Sequence, residues 1–139
     1  MSQQEIKSIL ERYHTVAVVG LSKDSSKPSH RVARYLQAVG YRVIPVNPFL
    51  QTVLVEKAYA SILDVPGPID IVDIFRPSDQ VLPIIEQAIN LRMKSGYPHV
   101  IWMQEGITND KAAQQAKQAG LTVIMDHCIK KEHQRLNHH

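Results

Sequence analysis

A polar loop with a single glycine follows the first apolar run of the chain, TVAVVG at residues 15–20. Gly20 lets the backbone turn closely after a strand, and the helix start that follows offers unpaired N–H groups with a partial positive charge. Hydroxyl and basic side chains accompany this loop: Ser22, Lys23, Ser25, Ser26, Lys27, Ser29, His30 and Arg31. This pattern favours a phosphate or pyrophosphate ligand. Since a dinucleotide fingerprint has three glycines, a plain polar connection with a serine helix cap stays open.

The second apolar run, YRVIPVNP at residues 41–48, ends without a carboxylate. NAD-binding domains usually carry Asp or Glu at this place to bind the ribose hydroxyls, whereas this chain has Asn47. An acid would repel a phosphorylated ribose, so its absence favours such a ribose. Arg42 opens the same run, and its guanidinium could reach either solvent or a ligand.

Two further runs end in groups whose chemistry is less specific. After IDIVDIF, residues 69–75, Phe75 and Arg76 could flank a flat ring or an anion. Equally, Phe75 could belong to the core and Arg76 could pair with Asp79. After HVIWMQ, residues 99–104, Glu105 is a single carboxylate without a nearby partner, which does not suggest a two-carboxylate acid–base mechanism.

The single cysteine, Cys128, follows the fifth run, LTVIMD at residues 121–126. His127 is poorly placed as its base, because adjacent residues of an extended segment point in opposite directions. We therefore expect a structural thiol and assign no catalytic residue. Nor do we assign a metal site, since His133, His138 and His139 lack the spacing of one. The last two are expected to form a disordered end.

The apolar runs have the length of buried strands, at residues 15–20, 41–46, 69–75, 99–104 and 121–126. Helices are predicted at 4–12, from Ser29 to Gly40, at 79–94 and from Thr108 or Asn109 to Gly120, with a polar tail lying over the surface. This alternation predicts an α/β fold in one domain, residues 1–139. It is a Rossmann-like three-layer sandwich with a five-stranded parallel sheet of order 3-2-1-4-5. Ligands of such sheets bind at the carboxyl ends of the strands, where the order reverses.

Composition narrows the class of protein. The chain has 139 residues, an apolar fraction of 44% and a formal net charge of +3. No apolar run is long enough to span a bilayer, and one cysteine excludes an internal disulfide framework. Basic residues form no block interleaved with aromatic ones, which disfavours nucleic acid as a partner. We expect a cytoplasmic protein that does not bind membranes.

Several separated motifs together resemble the small stand-alone CoA-binding proteins, Rossmann-like domains similar to the CoA-binding domain of the succinyl-CoA synthetase α subunit. These motifs are VAVVGLSKDSSKPSHRVARYLQAVGYRVIPVNP, VDIFRPSD and VIWMQEGITND, followed by the alanine-rich helix and VIMD. The resemblance runs from about residue 5 to Leu136, with the motifs in the same order and at the same spacing. It implies that coenzyme A lies across the carboxyl ends of the strands.

The resemblance also implies roles for individual residues. Gly20, Leu21 and Ser22 match the loop around the CoA phosphates. Arg42 matches a basic residue that contacts the nucleotide end, and Asn47 and Pro48 lie beside that end. The segments after the third and fourth strands correspond to Phe75, Arg76 and Pro77, and to Met103, Gln104 and Glu105.

Two departures from the family pattern bear on activity. Family members usually read Cys-Pro after the fifth strand, where this chain reads CIKKE, and the phosphohistidine segment of the synthetase has no counterpart. We therefore expect a CoA- or acyl-CoA-binding protein without catalysis of its own, with a protein partner or a homo-oligomer as further options. The alternatives are an NAD(P)-binding Rossmann enzyme or redox sensor, and a small acyl-CoA-acting enzyme that uses Glu105 or Cys128.

Overall fold

A computed structural model describes residues 1–137 and shows a parallel sheet between two layers of helices. The sheet strands are β1 (Thr15–Val19), β2 (Arg42–Val46), β5 (Ile71–Ile74), β6 (Val100–Met103) and β7 (Thr122–Ile124). Two short antiparallel strands, β3 (Thr52–Val53) and β4 (Glu56–Lys57), form a separate hairpin. The order across the main sheet is β2-β1-β5-β6-β7. The predicted α/β class and five-stranded parallel sheet are confirmed.

The sheet matches the predicted 3-2-1-4-5 pattern when the edge position beside β2 is counted as the third. A single parallel bridge between Val46 and Tyr59 occupies the third position, outside β2. Residues 69–75, predicted for that position, instead supply β5 and lie beside β1, so this assignment is wrong. The irregular segment after β2 occupies this edge of the sheet, where the N–H of Tyr59 donates to Pro45 O at 3.0 Å.

Five helices cover the sheet: α1 (Gln3–Arg12), α2 (Pro28–Ala38), α3 (Val81–Ser95), α4 (Asp110–Gln118) and α5 (Ile129–Leu136). Helices α1, α2 and α5 pack on one face, and α3 and α4 on the other. Within β5, Ile71 faces the first layer and Val72 the second. Burial on both faces explains why the strands read as continuous apolar runs.

Two local predictions are corrected by the structure. Ser29 does not cap α2: Lys27 is the N-cap residue, Pro28 is the first helical residue and Ser29 lies inside the helix. The polar tail is helix α5, anchored by Ile129 and Glu132, which are both buried. His138 and His139, the expected disordered end, lie outside the described residues.

The middle strand of the sheet carries a buried carboxyl group that sequence reasoning did not single out. Asp73 of β5 is fully buried, and its Oδ1 accepts a hydrogen bond from the Gln104 amide. Its Oδ2 has no hydrogen-bond partner among the described residues. Burial raises the pKa of Asp73 from 3.8 to about 8, against a smaller opposing effect of the Gln104 hydrogen bond. The side chain is therefore a neutral acid at pH 7.

Asp73 should make stability depend on pH. The folded protein keeps this proton up to a pKa of about 8, whereas an unfolded chain releases it near 3.8. The unfolded state thus binds fewer protons in between, and the free energy of unfolding falls as pH rises through this window. Urea denaturation between about pH 5 and 7 gives the free energy of unfolding as a function of pH. The slope of this function should be less negative in Asp73→Asn than in the wild type, by about 1.4 kcal/mol per pH unit.

Asp24→Asn is the matched control for this measurement. Hydrogen bonds from the Ser26 hydroxyl and backbone N–H lower the pKa of Asp24, so its carboxylate is ionised in both states across the same window. This variant should keep the wild-type slope. An Asp73→Asn slope equal to that of the wild type would contradict the assignment of a neutral buried acid.

Candidate functional site

The sheet order reverses between β1 and β5, which are hydrogen-bonded neighbours. The chain leaves β1 toward α2 on one face and leaves β5 toward α3 on the other. Two connections that diverge in this way open a crevice at the carboxyl ends of the strands. The predicted ligand edge of the sheet therefore contains a real gap between loops.

Gly20 sits at the bottom of this crevice. Its φ is +88°, and an added Cβ would lie 2.9 Å from Phe75 O and 3.0 Å from Arg76 Cδ. Its N–H donates to Val46 O at 2.9 Å, so three neighbouring strand ends meet here. Only glycine combines a left-handed backbone with so close an approach of another main chain.

The loop after Gly20 is fastened to the first turn of α2. The N–H of Ser22 donates to Ser29 Oγ at 2.9 Å, and the Ser22 carbonyl lies 2.9 Å from His30 Nδ1. Ser29 and His30 are buried, so the serine predicted as a helix cap instead supports the loop. The side chain of the N-cap residue of α2, Lys27, makes no capping hydrogen bond. That end of the helix keeps the unpaired N–H groups that suit an anion.

Asn47 ties the loop after β2 to the loop after β1. Its Nδ2 donates to Leu21 O at 3.0 Å, and its Oδ1 accepts from the N–H of Phe49 at 2.9 Å. Both ends of this amide are thus engaged by main chain. Leu21 is fully buried and fixes the loop from below. Asn47 thus shapes the crevice through its side-chain amide, and Leu21 does so through its carbonyl and its packing.

Two cavities open at this edge, and both are lined by Gly20. The smaller, about 260 Å³, is lined by Gly20, Ser22, Lys27, Pro28, Ser29 and Phe75. The larger, about 460 Å³, extends toward α3 and includes Asn47, Pro48 and Arg76 in its lining. Phe75 is part of the core as well as of the smaller cavity. Arg76 donates to Gln80 Oε1, and the alternative pairing with Asp79 is not found among the described ion pairs.

The residues after β6 have other partners. Met103 is fully buried, and Gln104 is held by Asp73. Glu105 forms an exposed ion pair with Lys131 of α5, with 2.8 Å between its Oε1 and Nζ. That pair raises the pKa of Lys131. None of the three lines either cavity at the crevice.

Arg42 does not lie at the carboxyl ends of the strands, where the crevice is. It begins β2, pairs with Thr15 at the start of β1 and donates its N–H to His14 O at 2.8 Å. The carboxyl ends lie at the other end of these strands. Pro77 does lie on the correct side, where it precedes a 3-10 turn at Ser78–Gln80.

Sequence reasoning missed part of the wall of the larger cavity. Ser61 and Gln87 line it, with the Ser61 hydroxyl donating to Gln87 Oε1 at 3.1 Å. Phe49 stands at its margin with its side chain 91% exposed. Residues 47–68 are less regular, and a short helical turn in SILDVP was all that their sequence predicted. That turn is present at Ile62–Asp64, but nothing in the sequence indicated that Ser61 would meet α3. The aromatic residue directly after Asn47 and Pro48 was an available signal.

Other features lie outside the crevice. A cavity of about 310 Å³ opens between α1 and the end of α5, near Tyr41 and His133. Within residues 1–137 no group of three His, Cys, Asp or Glu side chains is arranged to hold a metal. The helices described there are all too short or too polar to cross a membrane.

Comparisons with known proteins agree with this architecture. The chain is 44% identical over 132 residues to the uncharacterized protein YneT of Bacillus subtilis, covering 95% of this chain and 94% of that protein. A solved Thermus thermophilus structure has 40% identity and a TM-score of 0.90, covering 98% of this chain and 99% of that one. The ADP-forming acetate–CoA ligase of Methanocaldococcus jannaschii is 26% identical over 122 residues, covering 83% of this chain but 17% of the ligase.

A family described as the CoA binding domain matches residues 14–134, which include every sheet strand, the crevice and most of α5. The resemblance noted from the loop motifs is thereby confirmed, and this chain belongs to the CoA-binding domain family.

Proposed function

We propose that the protein binds coenzyme A or an acyl-CoA in the crevice between β1 and β5. The observation that carries this proposal is that Gly20 lines both cavities. A phosphate chain that passes over Gly20 can therefore join a group at the N-terminus of α2 to a ring in the larger cavity. A Cβ at this position would press against Phe75 O and the Arg76 side chain, and these two residues belong to the linings of the cavities.

The smaller cavity fits the phosphates. It combines the N-terminus of α2 with the Lys27 side chain and the Ser22 and Ser29 segments. Lys27 is exposed, so its ammonium group is free to turn toward an anion. The helix N-terminus and the cation act in the same direction on a pyrophosphate.

The larger cavity fits the adenine end. Its walls include the apolar side chains of Ile62, Pro83 and Ile84, which provide surface for a flat ring. The Ser61–Gln87 pair adds polar groups to that wall, and a glutamine amide can pair with the hydrogen-bonding edge of adenine. The exposed ring of Phe49 at the margin is available for stacking on the base.

The end of β2 argues against NAD. Asn47 replaces the usual acid, and its amide already bonds to Leu21 O and the Phe49 N–H. It has no carboxylate to hold two ribose hydroxyls. Calorimetry with CoA, dephospho-CoA and NAD should therefore give the tightest binding for CoA and the weakest for NAD. Tighter binding of NAD than of CoA would contradict the proposed function.

Lys27 should contribute to affinity, whereas Arg42 should not. A charge-assisted contact with phosphate contributes about 1.5–3 kcal/mol, so Lys27→Ala should weaken CoA binding about tenfold or more. Arg42→Ala removes a cation from the opposite edge of the sheet and should leave affinity nearly unchanged. Calorimetry on both variants separates a local phosphate contact from a general effect of net charge. A larger loss of CoA affinity in Arg42→Ala than in Lys27→Ala would show that the nucleotide does not bind in the crevice.

The close approach at Gly20 gives a second structural test. Gly20→Ala places a Cβ 2.9 Å from Phe75 O, whereas Gly96→Ala, at a similar φ of +84°, meets no atom within 4 Å. Both variants carry the strain of a left-handed alanine, and the first adds a backbone clash. We expect Gly20→Ala to lose about 2 kcal/mol more than Gly96→Ala in urea denaturation. Only Gly20→Ala should also weaken CoA binding. An equal loss of unfolding free energy in both variants would show that the protein relieves the contact at Gly20 without cost.

A further inference from the structure

His127 follows β7 in a rigidly held stretch of backbone. Its N–H donates to Met103 O at 3.3 Å, and its carbonyl accepts from Trp102 Nε1 at 2.8 Å. The preceding residue, Asp126, has a φ of +61°, and its carboxylate accepts the N–H of Gly106 at 2.7 Å. An aspartate in the left-handed region is uncommon and needs such local support. The backbone at His127 is thus held by its own N–H and carbonyl and by the contact of the preceding residue.

The imidazole of His127 is oriented by a buried carboxylate. Glu132 of α5 is 2% exposed, and its Oε1 lies 3.1 Å from His127 Nδ1. A carboxylate at this distance favours the tautomer that carries its proton on Nδ1, which leaves the lone pair on Nε2. No hydrogen bond engages Nε2 within residues 1–137, and the side chain is 42% exposed. The proton-accepting nitrogen is therefore unengaged within these residues, on a side chain that is partly exposed.

The charge of Glu132 is already balanced without His127. Arg135 donates from Nη1 to both carboxylate oxygens, at 3.0 and 3.1 Å. Arg135 lies one turn from Glu132 on the same helix, so this ion pair neutralises the carboxylate within α5. The contact with His127 is then left to orient the ring. A histidine with Nδ1 held by a carboxylate and Nε2 free is the arrangement of a general base.

His127 and the crevice both lie at the carboxyl ends of the strands. His127 follows β7, which is three strands from β1, so about 14 Å separates the carboxyl ends of these two strands. The pantetheine arm of a CoA whose phosphates lie near Gly20 is long enough to cross this distance. The thiol end, where an acyl group is attached, can thus reach the imidazole.

We propose that His127 Nε2 acts as a general base in the hydrolysis of a CoA thioester, with Glu132 as the residue that positions it. This inference rests on the proposed binding of acyl-CoA in the crevice. Nε2 accepts a proton from water, and the water oxygen bonds to the thioester carbonyl carbon. The carbon–sulfur bond then breaks, and the CoA thiolate takes the proton back from Nε2. The products are a carboxylic acid and CoA thiol, and the imidazole returns to its initial state.

The test measures release of CoA from acetyl-, butyryl- and succinyl-CoA by chromatography, with the full chain. General-base catalysis contributes about 100-fold or more, so His127→Gln should lower the rate of the hydrolysed thioester by about that factor. His14→Gln is the matched control, because His14 precedes β1 at the opposite edge and stacks on Tyr41. It should keep the wild-type rate. Added imidazole should restore part of the activity of His127→Ala, which a purely structural role would not allow.

Glu132 has its own test. Glu132→Gln keeps an oxygen for the Nδ1 proton but loses the charge, so kcat should fall while KM stays nearly the same. Nitrogen-15 NMR of the folded protein should show the His127 proton on Nδ1 without any ligand. A proton on Nε2 would overturn the proposal independently of activity.

The outcomes separate the two proposals. If calorimetry shows that the protein binds acyl-CoA but it releases CoA from none of the thioesters faster than buffer does, the role of His127 is refuted and the binding function stands. If neither CoA nor acyl-CoA binds, the proposed function fails, and this inference fails with it. Equal rates in His127→Gln and the wild type would also overturn the catalytic role.

Discussion

The structure of the ligand edge depends on one contact, the approach of the main chain at Gly20 to the main chain at Phe75. It occurs where β1 and β5 run side by side and their following helices depart to opposite faces. The absence of a side chain lets the two connections touch at their base and separate above it. The two cavities at the crevice therefore share Gly20 in their linings.

The loops around this contact are held by hydrogen bonds between side chains and main chain. Asn47 holds the carbonyl of Leu21, Ser29 holds the N–H of Ser22, and Asp126 holds the N–H of Gly106. Each of these polar side chains is used to fix a loop. A site fixed before its ligand arrives loses less conformational entropy on binding. The exposed groups at the rim, such as Lys27 and Phe49, remain available for direct contact.

The two ends of the edge differ in chemistry because different layers of the fold supply them. Near β1, a helix N-terminus and basic side chains favour anions. Near β7, α5 packs back over the sheet and buries Glu132 behind His127. Trp102 of β6 is fully buried and donates to the carbonyl of His127, which ties the segment after β7 to the neighbouring strand. A helix at the end of the chain thus contributes to the same edge as the first loop.

Much of this protein could be read from its sequence, because burial on both faces leaves a local pattern. Apolar runs marked all five strands, helix caps and glycines marked four helices, and Gly20 with Ser22 marked the crevice. The rest depends on contacts between residues distant in the chain. Tertiary packing determines that β5 lies beside β1 and that Ser61 contacts Gln87. It also places Arg42 at the amino-terminal end of the strands, away from the crevice. Burial also made Asp73 a neutral acid, and the docking of α5 set Glu132 against His127, since desolvation and side-chain direction exist only once the layers have assembled.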